Sequence, residues 1–363
     1  MKILHIAYGH RSDDTRIFKK ECTSLAQRGF DVLYITSDKI TKDTYDSQNV
    51  KRRIIPLRSN NRVIRVLKYM YDIMRIIKQE KPDVCHIHDF QIILLLILIP
   101  KRVKKIFDSH EDYPAYIADT VYRRLHYKSK YKMIEFIERF CFRKCNCIIT
   151  ATPYIRNQIS QFSNNVIDVN NFPLVESYTN KKKYNKQQVC FTGGAGDSSG
   201  VHKVVEAIKN SSYKLVIAGN CSGDYLTRLK NIANDNIIYL GYLDKEGVSD
   251  LIETSLVGVV SYLPTADCIH AVPNKMFEYM ERGIPIIYSN FPDWEEMIGK
   301  YNVGIPVDPN NSKQILNAIE SFYTDETFRM TAGKNARFVI ETVYNWKNEE
   351  KKLIETYENI SLS

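Results

Sequence analysis

The sequence offers few of the features that mark membrane, secreted or repeat proteins. Its longest apolar run covers residues 92–99, whereas a helix that crosses a bilayer needs about 20 apolar residues. The apolar stretch at the start, KILHIAY, is too short for a signal peptide, because charged residues follow it at once. No internal period of about 20 to 50 residues stands out, which argues against a solenoid. We therefore expect a soluble protein without a transmembrane helix.

Disulfide and metal patterns are also missing. The eight cysteines show no paired framework, which favours a reducing cytoplasm. Cys141, Cys145 and Cys147 lie close together but lack a second ligand pair at zinc spacing, so the sequence predicts no metal site. Neither a Walker loop nor a Ser/His/Asp order appears.

Length and charge divide the chain into two unlike halves. The 363 residues, 44% of them hydrophobic, are ample for a packed core and long for a single one, so two domains are expected. Residues 1–150 carry 30 Lys and Arg against 17 Asp and Glu, whereas residues 151–363 carry 21 against 25. A basic first half indicates an anionic partner for that half alone.

Strand-like and helix-like segments alternate along both halves, which predicts parallel sheets with helices on both faces. In the first half the predicted strands are 2–8, 30–36, 84–88 and 105–110, and the predicted helices are 14–28, 62–79 and 90–99. In the second half the predicted strands are 189–194, 213–220, 236–242, 257–263 and 284–289. The predicted fold class is α/β, with two Rossmann-like domains that face each other across a cleft and bind ligands beyond the carboxyl ends of their strands.

The polar, lysine-rich residues 171–188 are predicted to link the two domains. The first domain then covers 1–170 and the second covers 189–340. A last helix, placed at 341–363, is expected to cross back to the first domain.

The stretch PNKMFEYMERGIPIIYS at 273–289 combines a short helix with a buried strand. On a helix, Lys275, Glu278 and Arg282 fall within about 60° of one another. This spacing is typical of an exposed ladder of ion pairs, each worth about 0.2–0.5 kcal/mol. The alternative is a sugar-nucleotide site, in which a helix that begins at Asn274 presents free amides and Lys275 to a diphosphate. Glu278 would then accept hydrogen bonds from two ribose hydroxyls.

The same stretch resembles the donor-site signature of retaining glycosyltransferases with the GT-B fold, in the large family 4 grouping. That signature has two glutamates separated by seven residues and followed by a Gly-x-Pro strand, and its second glutamate corresponds to Glu278. The first position is occupied by His270, which the resemblance places near the transferred sugar. "PNKxFEYM", together with D-x-R-I-F-x-K-E at 14–21, resembles the subgroup that builds bacterial capsules, O-antigens and exopolysaccharides.

Two segments of the first half share this resemblance. DSHEDYP resembles the family's His-Glu segment, which implies that His110 contacts the transferred sugar and that Glu111 lies beside it. YGHRSDDTRIFKKE resembles the first βα loop, where Gly9 lets the backbone approach the reaction centre and where Asp14 and Arg16 bind substrate. Without the resemblance, Asp14 is a helix N-cap and Arg16 is a solvated helix residue.

In the second half, FTGGAGDSSGVHKVVEAI resembles the loop that binds the diphosphate, with Gly193 and Gly194 at the end of a strand. The cation that many relatives carry there is replaced by Ser199, so the nearest cationic candidates are His202 and Lys203. Two other loops, IAGN at 217–220 and LGYLDKE at 240–246, resemble those that frame the nucleotide base in the family. They contribute Asn220 and Tyr242.

The chain contains no Asp-x-Asp pair, the motif with which metal-dependent glycosyltransferases generally hold the diphosphate. The resemblance therefore implies a retaining hexosyltransferase that needs neither metal nor cofactor and moves a sugar from a UDP-sugar to a lipid-linked saccharide. The first domain would bind the acceptor and the second would bind the nucleotide-sugar donor, in bacterial surface polysaccharide biosynthesis. Two alternatives stay open: a UDP-sugar 2-epimerase-like enzyme of the same fold, and a catalytically weak, membrane-associated partner protein.

Two basic segments, 51–78 and 122–144, mix cations with aromatic and aliphatic residues at helical spacing. Such helices lie on anionic membranes, which predicts a cytoplasmic protein held on the inner face of the cytoplasmic membrane. The alternative is a pair of amphipathic helices that pack on the sheet with ordinary basic outer faces. Nucleic acid is not an expected partner, because no recognised module is present.

Overall fold

The computed structural model describes residues 1–37, 44–45, 50–57, 59–114, 127–176, 185–265 and 268–362. The chain forms two compact units, the first made of Met1–Asn171 and Trp346–Ser363 and the second of Phe172–Asn345. Each unit is a mostly parallel sheet covered by helices. No helix in the described part of the chain combines the length and the hydropathy needed to span a bilayer.

The sheet of the first unit has eight strands in the order β3-β4-β2-β1-β5-β6-β7-β8. Neighbouring strands are parallel except for β3 and β4, which are antiparallel. The strand order reverses between β1 and β5, which is where open α/β sheets bind ligands. The strands are β1 (Lys2–Ile6), β2 (Asp31–Thr36), β3 (Thr44–Tyr45), β4 (Lys51–Ile54), β5 (Val84–Ile87), β6 (Lys104–Ser109), β7 (Cys147–Thr150) and β8 (Val166–Asp168).

The first helix of this unit is less regular than its sequence predicts. It is a π-helix over Thr15–Cys22 and an α-helix, α1, over Thr23–Gln27. The carbonyl of Asp14 accepts hydrogen bonds from the amides of both Phe18 and Lys19, and the second of these bonds closes the wider π turn. The later helices are α2 (Arg62–Glu80), a short 3-10 turn (Phe90–Ile92), α3 (Leu95–Leu98), α4 (Tyr127–Phe142) and α5 (Pro153–Ser160).

The sheet of the second unit has six parallel strands in the order β11-β10-β9-β12-β13-β14. This is the doubly wound order, and its switch point lies between β9 and β12. β9, the first of these strands along the chain, begins at Asn185, inside the stretch 171–188 that the sequence predicts as a linker. The strands are β9 (Asn185–Thr192), β10 (Lys214–Ala218), β11 (Ile237–Gly241), β12 (Ser255–Val260), β13 (Ile286–Ser289) and β14 (Gly304–Val307).

Helices connect these strands and continue to the end of the chain. The last of them, α13, belongs to the first unit. They are α6 (Val201–Ile208), α7 (Gly223–Ala233), α8 (Lys245–Glu253), α9 (Asn274–Glu281), α10 (Pro292–Ile298), α11 (Ser312–Thr324), α12 (Glu326–Thr342) and α13 (Trp346–Leu362).

Each sheet buries apolar side chains on both faces, as expected for a doubly wound sheet. In the first unit, Leu4 faces one core together with Ile73 of α2, while its neighbour Ile3 faces the other core together with Leu353 of α13. The second unit likewise has one core on each face of its sheet. Because the central strands are parallel, their carboxyl ends lie along one edge of each sheet. The candidate site residues lie at these edges.

Candidate active site

In the second unit, glycines bring the loops after β9 and β10 together. Gly219 adopts φ +130°, and a Cβ on it would lie 2.3 Å from the carbonyl oxygen of Gly193, so only glycine fits there. Gly193 itself adopts φ +91°. Because both loops follow the carboxyl ends of neighbouring strands, this backbone packing places Gly193 and Gly194 at the switch-point edge of the sheet.

Helix α9 begins at the same edge and is held there by its buried face. Met276, Phe277 and Met280 are buried in the core, which agrees with their helical spacing on one side of α9. The hydroxyl of Tyr279 accepts a hydrogen bond of 2.8 Å from the amide of Thr192, the last residue of β9. The helix is thereby fixed to the strand that leads into the glycine loop.

Lys275, in the first turn of α9, is buried beneath that loop. Lys275 is only 7% exposed, and its Nζ lies 3.5 Å from the centroid of the Phe191 ring. Among the described residues, Nζ has no hydrogen-bond partner. A Cβ on Gly193 would lie 3.6 Å from this Nζ. Burial lowers the pKa of Lys275 to about 7, although the nearby charge of Glu278 acts in the opposite direction.

Glu278 and Arg282, which follow Lys275 along the same side of α9 and its C-cap, have different surroundings. Glu278 is partly exposed, one turn after Lys275. Arg282 forms ion pairs with Glu176 at 3.1 Å and with Glu253 at 3.4 Å. The ladder of exposed ion pairs along the helix therefore describes neither cation, because Lys275 is buried and the partners of Arg282 lie outside α9.

Other residues predicted to bind the donor lie around this edge in varied surroundings. Lys203 pairs with Glu206 at 2.9 Å, and the Nδ1 of His202 lies 3.2 Å from the hydroxyl of Tyr225. The Nδ1 of His270 is 2.7 Å from a carboxylate oxygen of Asp293. The exposed members of the predicted set follow strand ends or begin α9, and they are Asn220, Tyr242 and Asn274.

In the first unit, the edge beyond β1 and β5 is lined by histidines and carboxylates. Gly9 follows β1 with φ +90° and donates a backbone hydrogen bond to the hydroxyl of Ser37. His10 lies between Asp14 and Asp89, at 3.2 Å and 3.3 Å. Burial acts to lower the pKa of His10, but hydrogen bonds to the two carboxylates outweigh it and raise the pKa to about 10. His10 is therefore a cation at neutral pH.

His110 follows β6 and is partly exposed. Its Nε2 lies 3.0 Å from Oδ2 of the buried Asp108. Burial acts to raise the pKa of Asp108, yet the charges of Arg16 and His110 outweigh burial and hold the pKa well below its usual value. Because Nε2 faces this carboxylate, the opposite ring nitrogen, Nδ1, makes no hydrogen bond within the described residues. The side chain is thus oriented by one nitrogen and can offer the other to a substrate.

Arg16 was predicted to bind substrate, and here the structure corrects the prediction. The residue is buried, and its guanidinium donates two hydrogen bonds to Asp108 and one to the carbonyl of Val169. With its donors directed inward, Arg16 acts on the site through Asp108. It is also not the solvated helix residue that the alternative interpretation assumed.

Asp14 and Glu111 differ in how firmly they are placed. The Asp14 carboxylate accepts hydrogen bonds from the amides of Arg16 and Ile17, so it is the N-cap of the first helix, and it also faces His10. Glu111 is exposed, and its carbonyl accepts a hydrogen bond from the Ser109 hydroxyl.

The sequence did not single out His10, Asp89 or Asp108. Asp89 accepts a hydrogen bond from the amide of Tyr8, and it therefore joins the end of β5 to the loop after β1. A signal was present, because each of these three residues lies at or just beyond a strand that had been predicted in a parallel sheet. Their mutual contacts depend on strand order, which the sequence alone does not reveal.

Known families match both units of the chain. Residues 16–169 match Glycosyltransferase Family 4, and residues 176–339 match Glycosyl transferases group 1. YtcC of Bacillus subtilis (strain 168), a protein described as a glycosyltransferase, is 23% identical over 219 residues. That alignment spans 53% of this chain and 53% of YtcC, about half of the relative's length.

Solved structures resemble the chain over nearly its whole length. Sucrose-phosphate synthase from Thermosynechococcus elongatus has a TM-score of 0.77 and 14% identity, over 99% of both chains. Alr3699/HepE of Anabaena, in complex with UDP and glucose, has a TM-score of 0.75 and 11% identity, over 99% of this chain and 100% of that chain. These structures establish the GT-B fold. Each unit thus matches a glycosyltransferase family model, Family 4 in the first unit and group 1 in the second.

Proposed function

We propose that the protein is a retaining glycosyltransferase that transfers a sugar from a UDP-sugar to a lipid-linked saccharide without a metal at the diphosphate. The observation that carries this proposal is the buried ammonium of Lys275 beside Gly193. A lysine without a hydrogen-bond partner is costly to bury, and a diphosphate supplies the missing acceptors.

The diphosphate would be bound by three kinds of donor in the second unit. The start of α9 contributes the partial positive charge of the helix dipole, although the amide of Met276 already donates to the carbonyl of Pro273. The loop that begins at Gly193 adds the exposed backbone of Gly194, whereas the amides of Gly193 and Ala195 already donate to Ala218 and Asn220. Lys275 contributes the full charge, which stabilises the leaving UDP as negative charge develops on it.

The choice of UDP rests on similarity and on Glu278. The Anabaena protein that shares this fold was solved with UDP and glucose. Glu278 is partly exposed, one turn after Lys275 on α9, which is about 4.5 Å further along the helix axis. Its carboxylate has lone pairs for both ribose hydroxyls.

His110 is proposed to contact the transferred sugar. Its ring is held by Asp108, so the nitrogen that faces the substrate keeps a fixed direction. The retaining outcome comes from the family resemblance, and so does the role in capsule, O-antigen or exopolysaccharide synthesis.

The first unit also carries a surface suited to an anionic membrane, where a lipid-linked acceptor would lie. On α2, the exposed Leu67 and Tyr71 follow the same side as the cationic Lys68 and Arg75. On α4, Phe136 is 69% exposed. Met133 and Phe140 are exposed on the same side of α4, and the exposed Lys144 follows the end of this helix. Part of the predicted segment 122–144 lies outside the described residues.

The function is tested by measuring UDP release from a panel of UDP-sugars, with and without lipid-linked saccharide. Release that requires the acceptor supports transfer. Formation of the 2-epimer without acceptor would show an epimerase, and the absence of both reactions would show a partner protein. The variant Glu278→Ala is expected to weaken UDP binding while leaving the melting temperature within a few degrees of wild type, because Glu278 is partly exposed.

A further inference from the structure

Three histidines and a glutamate meet inside the first unit, beneath the edge that holds His110. His5 lies on β1, His86 and His88 lie on or next to β5, and Glu21 comes from the π-helix. All four side chains are fully buried. Each offers one nitrogen or oxygen atom, and these four atoms all lie within 4.8 Å of one another.

The distances between these atoms are close to those of a tetrahedral metal site. The Nδ1 of His5 is 2.9 Å from the Nε2 of His88 and 3.8 Å from Oε2 of Glu21. The Nε2 of His88 is 3.9 Å from the same oxygen. Zinc bonds of about 2.0–2.1 Å in tetrahedral geometry place neighbouring ligand atoms about 3.3 Å apart. Side-chain movements of roughly half an ångström therefore bring the ligands into position.

Several polar atoms in this cluster make no hydrogen bond within the described residues. Within the described residues, the Nε2 of His86 and both carboxylate oxygens of Glu21 lack a hydrogen-bond partner. Oε1 of Glu21 lies 3.1 Å from the Nε of Arg16, but without hydrogen-bond geometry. Buried polar atoms are seldom left without a hydrogen bond, so a nitrogen and a carboxylate that make none within the described residues point to an absent partner.

The outward nitrogen of every histidine is already engaged. The Nδ1 of His86 is 2.7 Å from the hydroxyl of Tyr357, and the Nε2 of His5 is 3.3 Å from the same hydroxyl. The Nδ1 of His88 is 3.4 Å from a carboxylate oxygen of Asp108. Metal-bound histidines almost always donate their second N–H in this way, which fixes the tautomer. The inward nitrogens of His5 and His88 share a hydrogen bond of 2.9 Å, which the metal would replace.

We propose that His5, Glu21, His86 and His88 form a closed, four-ligand site for a divalent cation of the zinc class. Three imidazoles and one carboxylate suit zinc, and four protein ligands without an open position are typical of a structural site. The cation also balances charge, because the two buried carboxylates Glu21 and Asp108 share the charge of Arg16, and His110 faces only Asp108. The site lies in the first unit, whereas the residues proposed to bind the diphosphate lie in the second, so it is compatible with transfer that needs no metal at the diphosphate.

This proposal differs from the sequence-based expectation of no metal site. The ligands are separated by up to 83 positions and follow no compact spacing. They converge because β1 and β5 are neighbours in the sheet and the π-helix covers one face of it.

A second overlapping group, His88, Asp108 and His110, is less suited to a metal. Arg16 already holds Asp108 through two hydrogen bonds. The four-ligand group therefore fits a cation better.

The test is metal analysis of the full chain, purified without a polyhistidine tag. We expect about one zinc per chain after dialysis against metal-free buffer. After the zinc is replaced, bound Co²⁺ should show the visible bands of a tetrahedral complex with nitrogen and oxygen ligands. Glu21→Gln and His86→Gln should lose the metal, and Tyr357→Phe should weaken zinc affinity by roughly 10- to 100-fold. The control variant His202→Gln should keep wild-type metal content.

The proposal is overturned if the wild-type chain retains no divalent metal and its melting temperature is unchanged by Zn²⁺, Co²⁺ or Mn²⁺. The cluster would then be a metal-free network with a protonated Glu21. It is also overturned if the variants keep their zinc, or if Co²⁺ shows thiolate charge-transfer bands, which would place the metal on cysteines. If a variant fails to fold, the metal content and Co²⁺ spectrum of the wild-type chain still decide.

Discussion

The ammonium of Lys275 lies over the ring of Phe191, at 3.5 Å from its centroid, and Nζ has no hydrogen-bond partner among the described residues. An aromatic face attracts a cation but accepts no ordinary hydrogen bond. The free protein therefore holds a poorly solvated charge at the switch point of its second sheet. Groups with strongly perturbed pKa values are concentrated at functional sites, where fold stability is exchanged for binding.

Replacing this lysine should change stability and ligand binding in opposite directions. Lys275→Met removes a buried charge and should raise the free energy of unfolding by about 1–4 kcal/mol, as apolar replacements of buried charges often do. The same variant should bind UDP roughly 10- to 100-fold more weakly, because it loses a charge-assisted hydrogen bond of about 1.5–3 kcal/mol. Chemical denaturation and titration calorimetry measure the two effects.

Lys300→Met is the matched control. Lys300 also lies over an aromatic ring, that of Tyr301, but is exposed. We expect this variant to bind UDP as the wild type does. If Lys275→Met lowered stability and binding together, loss of folding would explain the result and Lys275 would lose its assigned role.

The pH dependence of UDP binding should follow the same lysine. Burial lowers the pKa of Lys275 to about 7 in the free protein, so above pH 7 most of the chains carry a neutral amine. A diphosphate favours the charged form, so binding at pH 8 should take up a proton. UDP affinity should fall by up to about tenfold per pH unit above pH 7. Calorimetry in buffers of different ionisation enthalpy detects the proton uptake, which Lys275→Met should abolish.

The stability effect has a defined sign as well. Between pH 7 and 10.5 the unfolded chain binds a proton that the native chain does not, so the contribution of Lys275 to the free energy of unfolding rises with pH in this window. The advantage of Lys275→Met over wild type should accordingly be larger at pH 6 than at pH 9. Equal advantages at both pH values would mean that Lys275 titrates normally.

His110 should affect turnover more than donor binding. His110→Ala removes a partly exposed ring at the proposed sugar position, and we expect kcat to fall by about 10²-fold or more. UDP affinity should stay within about twofold of wild type, because the donor groups named here belong to the second unit. Steady-state kinetics combined with UDP titration separate the two. A variant with unchanged kcat would remove His110 from the reaction centre.

Membrane binding should depend on the exposed apolar residues of the first unit. Phe136→Glu should weaken binding to anionic vesicles by roughly 10- to 100-fold. It removes a phenyl group whose burial in the membrane contributes about 1.5–3 kcal/mol to binding, and it adds a negative charge that the vesicle repels. Phe338→Glu is the control, since Phe338 is 62% exposed but lies on α12 of the second unit. Vesicle flotation at low and high salt measures the effect, and equal behaviour of both variants would contradict the assigned face.

Local features of the site were predictable, whereas its tertiary contacts were not. The buried side of α9 followed from the spacing of Met276 and Met280, and Gly283 marked the end of the helix with φ +66°. That Lys275 is buried did not follow, because helical spacing grouped it with Glu278 on a side that looked exposed. Its burial depends on Phe191, which lies 84 positions away in the chain.

The first unit illustrates the same limit. An arginine on a helix, such as Arg16, is predicted from sequence to be solvated. Only the position of β6 shows that its guanidinium donates two hydrogen bonds to Asp108. The π-helix was also missed, since hydrophobic periodicity over 14–28 does not distinguish a π turn from an α turn. The histidine and glutamate cluster required the strand order before it became visible.

The most direct measurement is an experimental structure of the full chain with UDP bound. We predict that the diphosphate lies within hydrogen-bond distance of Lys275 and the first-turn amides of α9, with the ribose hydroxyls on Glu278. A structure in which UDP binds elsewhere and Lys275 keeps its place over Phe191 without touching a phosphate would contradict the account.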